Sequence, residues 1–149
     1  MKLAVLTPNV TALPQPTAEE IGDLAQRGYR SIIGNRPERE TPDQPAWTEL
    51  KAAAAANGME AVQIPVVASK ISGRDVEAFR DALERLPKPI AAFCRTGTRS
   101  TLLWALANQG NLTVDERISI AAKEGYDLQP FRTLLETGTA DEEQAHDQA

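Results

Sequence analysis

The sequence predicts an α/β fold with a mostly parallel central sheet and helices on both of its faces. Short apolar runs alternate along the chain with helical segments that begin at capping residues and end near glycine. The run at residues 90–93 is Ile-Ala-Ala-Phe, which is typical of a strand buried on both faces of a parallel sheet. Strands and helices that alternate in this way favour a sheet covered by helices on both sides.

Five strands are predicted, each from a short apolar run between turn residues. They cover residues 3–6, 10–13, 29–35, 60–67 and 90–93. Capping boxes that start at Thr17 and Thr113 open two helices, which end at Gly28 and Gly125. Further helices are predicted at residues 47–57, from a cap at Ser72 to about residue 86, at 100–108 and at 129–136.

The chain length predicts a single folded domain. The 149 residues are enough for one full core, and we place this domain at residues 1–136. Residues 137–149 are acidic and polar and contain no apolar residue larger than alanine. Because such a segment has little to bury, we expect it to be a disordered tail.

Composition narrows the classes of function. The net charge of -5 argues against nucleic acid or an anionic membrane as the main partner, since both attract basic surfaces. No apolar run approaches the ~20 residues of a membrane span, and the apolar stretch after Met1 is too short for a signal peptide. The single cysteine forms no internal disulfide, which suits a reducing compartment. We therefore expect a cytoplasmic protein.

The segment from residue 94 to residue 99 reads Cys-Arg-Thr-Gly-Thr-Arg and lies between a predicted strand and a predicted helix. Backbone N–H groups in such a loop form a nest for an anion, and the helix adds its positive N-terminal end. A thiol held there is stabilised as a thiolate and is nucleophilic at neutral pH. A lone cysteine is most often a buried structural residue, but the glycine and the two arginines around Cys94 favour a catalytic nucleophile.

These features assign roles to the loop residues. We predict Cys94 as the nucleophile and Arg99 as the guanidinium fork that binds an oxyanion. Arg36 follows a parallel strand and is expected near the same edge of the sheet. The residues predicted to bind substrate are Arg95, Thr96, Gly97, Thr98, Ser100 and Arg36.

The loop resembles the active loop of rhodanese-type sulfurtransferases, whose pattern is Cys-Arg-x-Gly-x-Arg. The wider chain, over about residues 1–136, is similar to the phosphatase-like domain of bacterial β-lactamase-hydrolase-like proteins. The resemblance lies in the segments at residues 15–17, 35–37, 64–66, 94–100, 104–106 and 125–128. It implies a cysteine-phosphatase-like fold, with a four- or five-stranded sheet and the cysteine loop at the carboxyl end of a central strand. In that family the domain occurs alone or fused to a metallo-β-lactamase-fold persulfide dioxygenase.

The sequence favours sulfur over phosphate as the group that is transferred. Four residues separate Cys94 from Arg99, whereas phosphatase loops of the resembled superfamily have five, and a shorter loop suits a terminal sulfur better than a phosphate. No carboxylate lies between Val66 and Ser72, on the loop where such phosphatases usually carry a general acid. The residue before the cysteine is Phe93, where phosphatases often have histidine.

A cysteine-dependent phosphatase with a Cys94 thiophosphate intermediate is the alternative interpretation. Ser100 stands directly after the loop arginine, where a phosphatase signature places a residue that helps the thiolate depart. Three carboxylates on a neighbouring loop are candidates for the missing acid: Glu38, Glu40 and Asp43. A third interpretation is a non-enzymatic module that binds anions or persulfides.

In the favoured interpretation, Cys94 takes a sulfane sulfur from thiosulfate or a small persulfide and passes it to a thiol or to sulfite. The resemblance implies a setting in bacterial sulfide and persulfide metabolism, with a persulfide dioxygenase as a possible partner. No set of His, Cys, Asp and Glu has metal-ligand spacing, so we predict no metal and no cofactor. Trp104 is expected in the core, His146 is not expected to take part in catalysis, and the sequence leaves the role of Trp47 open.

Overall fold

The computed structural model describes residues 1–139. Its strands are β1 (Ala4–Thr7), β2 (Val10–Leu13), β3 (Ser31–Gly34), β4 (Glu60–Gln63) and β5 (Ile90–Phe93). Its helices are α1 (Ala18–Gln26), α2 (Trp47–Ala56), α3 (Gly73–Arg85), α4 (Thr98–Ala107), α5 (Val114–Lys123) and α6 (Arg132–Thr137). Two single 3₁₀ turns lie at Ala68–Lys70 and Gln129–Phe131.

The five strands form one mixed sheet in the order β1-β2-β5-β3-β4. Only the edge pair of β1 and β2 is antiparallel, and the other three pairs are parallel. The predicted α/β fold with a mostly parallel sheet is therefore confirmed. Strand β5 is the central strand, with Leu13 of β2 and Gly34 of β3 on either side of Phe93. The chain that follows β5 thus emerges at the middle of the carboxyl edge of the sheet.

Two apolar layers cover the sheet. Helices α1 and α2 pack on one face over a core that includes Ile21, Leu24, Ile32 and Leu50. Helices α3 to α6 pack on the other face, where Trp104 is 1% exposed, as predicted for a core residue. Because both faces are covered, every residue of β2, β3 and β5 is buried. The loop after β5 therefore begins at a strand that is packed on both faces.

Capping boxes in the sequence place the starts of three helices correctly. The side chains of Thr17, Ser72 and Thr113 each accept a hydrogen bond from the backbone N–H three residues later, and each belongs to a complete capping box. Such a cap contributes about 1 kcal/mol to the stability of its helix. The predicted starts of α1, α3 and α5 are therefore confirmed.

Several predicted boundaries differ from the structure, and the differences in β4 and α4 bear on the site. The strand predicted at residues 60–67 ends at Gln63, although the N–H groups of Ile64 and Val66 still donate to the carbonyls of Gly34 and Asn35. The helix predicted at residues 100–108 begins earlier, at Thr98, because Gly97 takes up a left-handed conformation as its N-cap.

The division into a domain at residues 1–136 and a tail stays a prediction. Helix α6 ends at Thr137, next to the predicted boundary, and Thr139 is 1% exposed. The rest of the predicted disordered tail, with His146, lies outside the described residues. None of the helices within residues 1–139 is both long and apolar enough to cross a membrane.

Candidate active site

Cys94 lies directly after the central strand and is fully buried. The backbone N–H of Gly97 donates a hydrogen bond to its Sγ over 3.1 Å. Gly97 has φ = 98°, in the left-handed region that favours glycine. The chain can therefore turn back over the sulfur within three residues and enter α4, whose positive N-terminal end faces this loop.

Arg99 lies in the first turn of α4 and is held at one end of its guanidinium. Its Nη1 donates to Glu40 Oε2 over 2.6 Å and to the Val66 carbonyl over 3.0 Å, and its Nη2 donates to Glu40 Oε1 over 2.9 Å. The Glu40 hydrogen bond is the main cause that raises the pKa of Arg99, and the negative charge of Cys94 contributes to it. A guanidinium has five N–H donors, and these three bonds use both of those on Nη1 and one of those on Nη2. The Nε–H and the second Nη2–H remain, and they lie on the same edge of the guanidinium.

Glu40 joins Arg99 to a second, buried arginine. Arg36 donates from Nε to Glu40 Oε1 over 3.0 Å, from Nη1 to Gln15 over 3.1 Å and from Nη2 to Thr41 over 3.1 Å. Only 5% of the Arg36 side chain is exposed. The Arg99 hydrogen bond, followed by that of Arg36, holds the pKa of Glu40 below its usual range. Glu40 is therefore a carboxylate at neutral pH that supports both arginines.

The other two candidate acids are also engaged. Glu38 accepts a hydrogen bond from the backbone N–H of Trp47 over 2.6 Å. Asp43 accepts one from the Thr41 hydroxyl over 2.8 Å. That hydroxyl is the main cause that lowers the pKa of Asp43, and the charges of Arg36 and Arg95 add to it. The surroundings of Glu40 and Asp43 thus favour the ionised carboxylates, because both pKa values lie below their usual range.

Ser100 and Asn35 form a buried hydrogen-bond network beneath the cysteine loop. The Ser100 hydroxyl donates to Asn35 Oδ1 over 2.8 Å, and Asn35 Nδ2 donates to the Ile64 carbonyl over 2.9 Å. The backbone N–H of Asn35 donates to the Phe93 carbonyl over 2.8 Å. This network ties together the ends of β3, β4 and β5 with the first turn of α4. The hydroxyl hydrogen of Ser100 is thus engaged in a hydrogen bond to Asn35.

Tyr126, just after α5, contacts the cysteine loop from the side. Its hydroxyl donates to the Thr96 carbonyl over 2.8 Å, and the residue is 5% exposed. Burial and the negative charge of Cys94 raise the pKa of Tyr126. A Cβ atom placed on Gly97 would lie 2.1 Å from the tyrosine oxygen, so the phenol packs directly against the glycine.

The remaining predicted residues line the mouth of the site. Arg95 and Thr96 are exposed, and the hydroxyls of Thr96 and Thr98 lie 3.1 Å apart within hydrogen-bond distance. A pocket of about 240 Å³ lies beside the loop, and Arg36 and Arg95, the two predicted site arginines outside α4, line it. Its lining residues are Gln15, Arg36, Thr41, Asp43, Gln44, Pro45 and Arg95.

Trp47, whose role the sequence left open, packs under the site. Its ring stacks on Phe93 with centroids 6.5 Å apart. A Cβ atom on Gly34 would lie 2.7 Å from the Trp47 ring, so the glycine makes room for this stack. Trp47 therefore supports the carboxyl end of the central strand.

The structure brings the predicted residues together around Cys94, and it adds three residues whose roles the sequence did not reveal. Glu40 acts on Arg99, Asn35 acts on Ser100, and Tyr126 acts on the loop backbone. Asn35 and Tyr126 lie in segments that carry the family resemblance, and this was the one sign in the sequence that they belong to the site. Within residues 1–139, no group of three or more His, Cys, Asp or Glu side chains is arranged to hold a metal ion.

A mixed sheet with helices on both faces and a cysteine loop after the central strand defines the class of cysteine-phosphatase-like proteins. The family model of the β-lactamase hydrolase-like protein, phosphatase-like domain, matches residues 2–111. The chain therefore belongs to this family, as the resemblance implied.

Similar proteins support the assignment. The chain is 33% identical over 138 residues to a β-lactamase hydrolase-like protein of Xylella fastidiosa, in a match that covers 91% of this chain and 32% of that protein. It thus spans about a third of the length of the curated relatives it matches. A proposed phosphatase from Neisseria meningitidis has the same fold, with 36% identity, a TM-score of 0.84 and coverage of 91% and 96% of the two chains. The active form of Tk-PTP shares the fold at 17% identity, with a TM-score of 0.71 and coverage of 90% and 92%.

These comparisons contradict the predicted sulfurtransferase activity. The family and the similar structures are phosphatase-like, and the resemblance of the loop to rhodanese loops gains no support from them. The prediction rested on the length of the loop, on the lack of a carboxylate between Val66 and Ser72 and on Phe93 before the cysteine. Because α4 begins at Thr98, Arg99 lies in its first turn, close enough for the charge of Cys94 to act on it.

Proposed function

We propose that this protein is a cysteine-dependent phosphatase that acts on phosphate monoesters. The observation that carries the proposal is the arrangement of Cys94 and Arg99. Cys94 Sγ accepts a hydrogen bond from the Gly97 N–H, and Glu40 binds the far end of the Arg99 guanidinium. The membership of a phosphatase-like family supports the same reaction. The Cys94 thiolate attacks phosphorus, the bond to the ester oxygen breaks, and a thiophosphate forms on Cys94. Water then hydrolyses this thiophosphate and releases orthophosphate and the thiolate.

The phosphate group would be bound by backbone and side-chain donors together. The loop after β5 leads into the N-terminal end of α4, which favours an anion. The Nε–H and the remaining Nη2–H of Arg99 form a fork that matches two phosphate oxygens. Because Glu40 fixes the guanidinium in advance, this fork costs little reorganisation when charge develops in the transition state.

The nearby carboxyl groups indicate which phosphate esters are suitable. Glu38 accepts a hydrogen bond from the Trp47 N–H, and the partners of Glu40 and Asp43 lower the pKa of both carboxyl groups. None of the three is therefore proposed as the general acid for the leaving oxygen. An aryl phosphate such as phosphotyrosine loses a phenolate, which is a more stable anion than an alkoxide. We therefore propose aryl phosphates as the substrate class, with water supplying the proton to the departed phenolate.

The test is the hydrolysis of para-nitrophenyl phosphate by the full chain, combined with a rapid acid quench and mass spectrometry. We expect turnover and an adduct of about 80 Da on Cys94, as for one phosphoryl group in covalent catalysis. Cys94→Ser should abolish both, with unchanged melting temperature. Tight phosphate binding without turnover or adduct would instead identify an anion-binding module and contradict the proposal.

A partnership with a persulfide dioxygenase, which the family resemblance implied, stays a prediction. The same is true of a cytoplasmic location. Copurification of the chain with endogenous partners under mild conditions tests the first, and fractionation of the source cells tests the second.

A further inference from the structure

Tyr126 and Cys94 contact opposite ends of one peptide unit. The Thr96 carbonyl and the Gly97 N–H belong to the same planar peptide bond and, in the trans form, point in opposite directions. The Tyr126 hydroxyl donates to the carbonyl over 2.8 Å, and the N–H donates to Cys94 Sγ over 3.1 Å. A continuous chain of hydrogen bonds therefore leads from the phenol through the peptide to the sulfur.

We propose that Tyr126 is a positioning residue for Cys94, which orients and polarises the Thr96–Gly97 peptide so that its N–H stabilises the thiolate. This rests on the proposed role of Cys94 as nucleophile. A hydrogen bond to a carbonyl oxygen makes the N–H of the same peptide a stronger donor. It also fixes the plane of the peptide, so the N–H remains directed at the sulfur rather than at solvent.

The packing around Tyr126 leaves its hydroxyl little choice of position. The ring lies against Gly97, where a Cβ atom would be 2.7 Å from Cζ. On the other side, Lys2 Nζ lies 4.5 Å from the ring centroid, a favourable cation–π contact. The backbone N–H of Tyr126 is bonded to the Ala121 carbonyl over 2.9 Å, which anchors the residue to the end of α5. The phenol is thus held in place from three directions.

The electrostatics agree with this geometry. Burial, and then the negative charge of Cys94, raise the pKa of Tyr126, so the phenol keeps its proton throughout the neutral range and remains a donor. Tyr126 lies beyond residues 2–111, the part matched by the family model.

A purely structural role and a positioning role predict different results for Tyr126→Phe. The substitution keeps the ring that packs on Gly97 and removes only the hydroxyl. Tyr29→Phe is a matched control, because the hydroxyl of Tyr29 also takes part in a hydrogen bond, with Thr11 Oγ1 over 2.7 Å. Tyr29 and Thr11 both lie away from the cysteine loop.

The experiment measures the rate of iodoacetamide alkylation of Cys94 against pH in the full chain, where it is the only thiol. For Tyr126→Phe we expect the midpoint to move upward by about half a pH unit or more, which is about a threefold loss of thiolate below the midpoint. Tyr29→Phe should keep the wild-type midpoint. An unchanged midpoint in Tyr126→Phe, or an equal shift in both variants, would overturn the proposal.

Melting temperatures of both variants exclude general loosening as the cause of a shift. The alkylation result does not depend on any phosphate substrate. If the wild-type protein hydrolyses no aryl phosphate but Tyr126→Phe still moves the midpoint, the positioning role stands and the proposed function falls. If the wild type is active and the midpoint does not move, the positioning role alone is wrong.

Discussion

Glu40 binds the far end of Arg99 with both carboxylate oxygens, over 2.6 and 2.9 Å. The two residues are 59 apart in the sequence, so the pair connects the loop after β3 with the first turn of α4. A bidentate pair fixes the plane of the guanidinium as well as its distance. The orientation of the arginine is therefore set before any ligand arrives.

Glu40→Gln should impair catalysis more than folding. The amide has only one acceptor oxygen, so one bond to Arg99 is lost and the guanidinium can rotate. We expect kcat/KM for para-nitrophenyl phosphate to fall by about tenfold or more, as for the loss of a preorganised electrostatic contact. Glu38→Gln is the control, because Glu38 lies on the same loop but contacts Trp47 instead. Equal activities of the two variants would argue against a role for the Glu40–Arg99 pair.

The same pair predicts how stability changes with pH. The arginines lower the pKa of Glu40 below its ordinary value of 4.5, so its stabilising effect is fully present above that value and is lost as pH falls through the lower, folded-state pKa. Between pH 7 and pH 5, the difference in free energy of unfolding between wild type and Glu40→Gln should stay constant. Below about pH 4.5 the difference should shrink. Urea titrations at a series of pH values measure it, and a difference that grows in acid would contradict this sign.

Gly97→Ala should be far more damaging than a matched glycine substitution elsewhere. Gly28 has φ = 97°, almost the same as Gly97, but a Cβ there meets nothing within 4 Å. Gly28→Ala should therefore lower the free energy of unfolding by about 1 kcal/mol, the cost of the backbone conformation alone. Gly97→Ala adds the clash with Tyr126 and should cost about 2 kcal/mol more, with loss of Cys94 reactivity. Similar losses for both variants in thermal unfolding would contradict the close packing.

The absence of a positioned acid predicts a steep dependence of rate on the leaving group. Across a series of substituted phenyl phosphates, kcat/KM should fall by about fivefold to tenfold for each unit by which the phenol becomes less acidic. Asp43→Asn should leave this slope unchanged, because Asp43 is held as a carboxylate by Thr41. A shallow slope in the wild type that steepens in Asp43→Asn would identify Asp43 as the general acid instead.

The sheet, the starts of α1, α3 and α5, and the presence of a loop between β5 and α4 were predictable because their signals are local. The capping residue Thr17, the apolar run of β5 and the glycine after Cys94 each act within a few residues of the chain. The type of chemistry was predicted wrongly, because the loop length, the missing carboxylate and Phe93 are each compatible with either reaction. They describe what lies near Cys94 in the sequence and do not specify which group the folded site binds.

The partners of the loop were not predictable, because each comes from a distant part of the chain. From the sequence, Glu40 is a candidate only for the general acid, since its sequence neighbours do not reveal that it binds both Arg36 and Arg99. Nothing local to Tyr126 indicates that its hydroxyl meets Thr96, 30 residues earlier. Such contacts depend on how the elements pack, which a single sequence does not specify directly.

The network at Asn35 has a consequence for the order of folding. Ser100 lies 65 residues after Asn35, and Ile64 lies 29 residues after it. Contacts between such distant residues pay the entropy of loop closure and form after nearer ones. The parallel pairs of β5 are equally distant, since they join Val10 and Ser31 to Ile90. In a refolding chain, the helices should therefore appear before the sheet and the cysteine loop take their final shape. Recovery of the far-ultraviolet circular dichroism signal should precede recovery of Cys94 reactivity, so the newly collapsed protein passes through a period in which it is folded in outline but chemically inert.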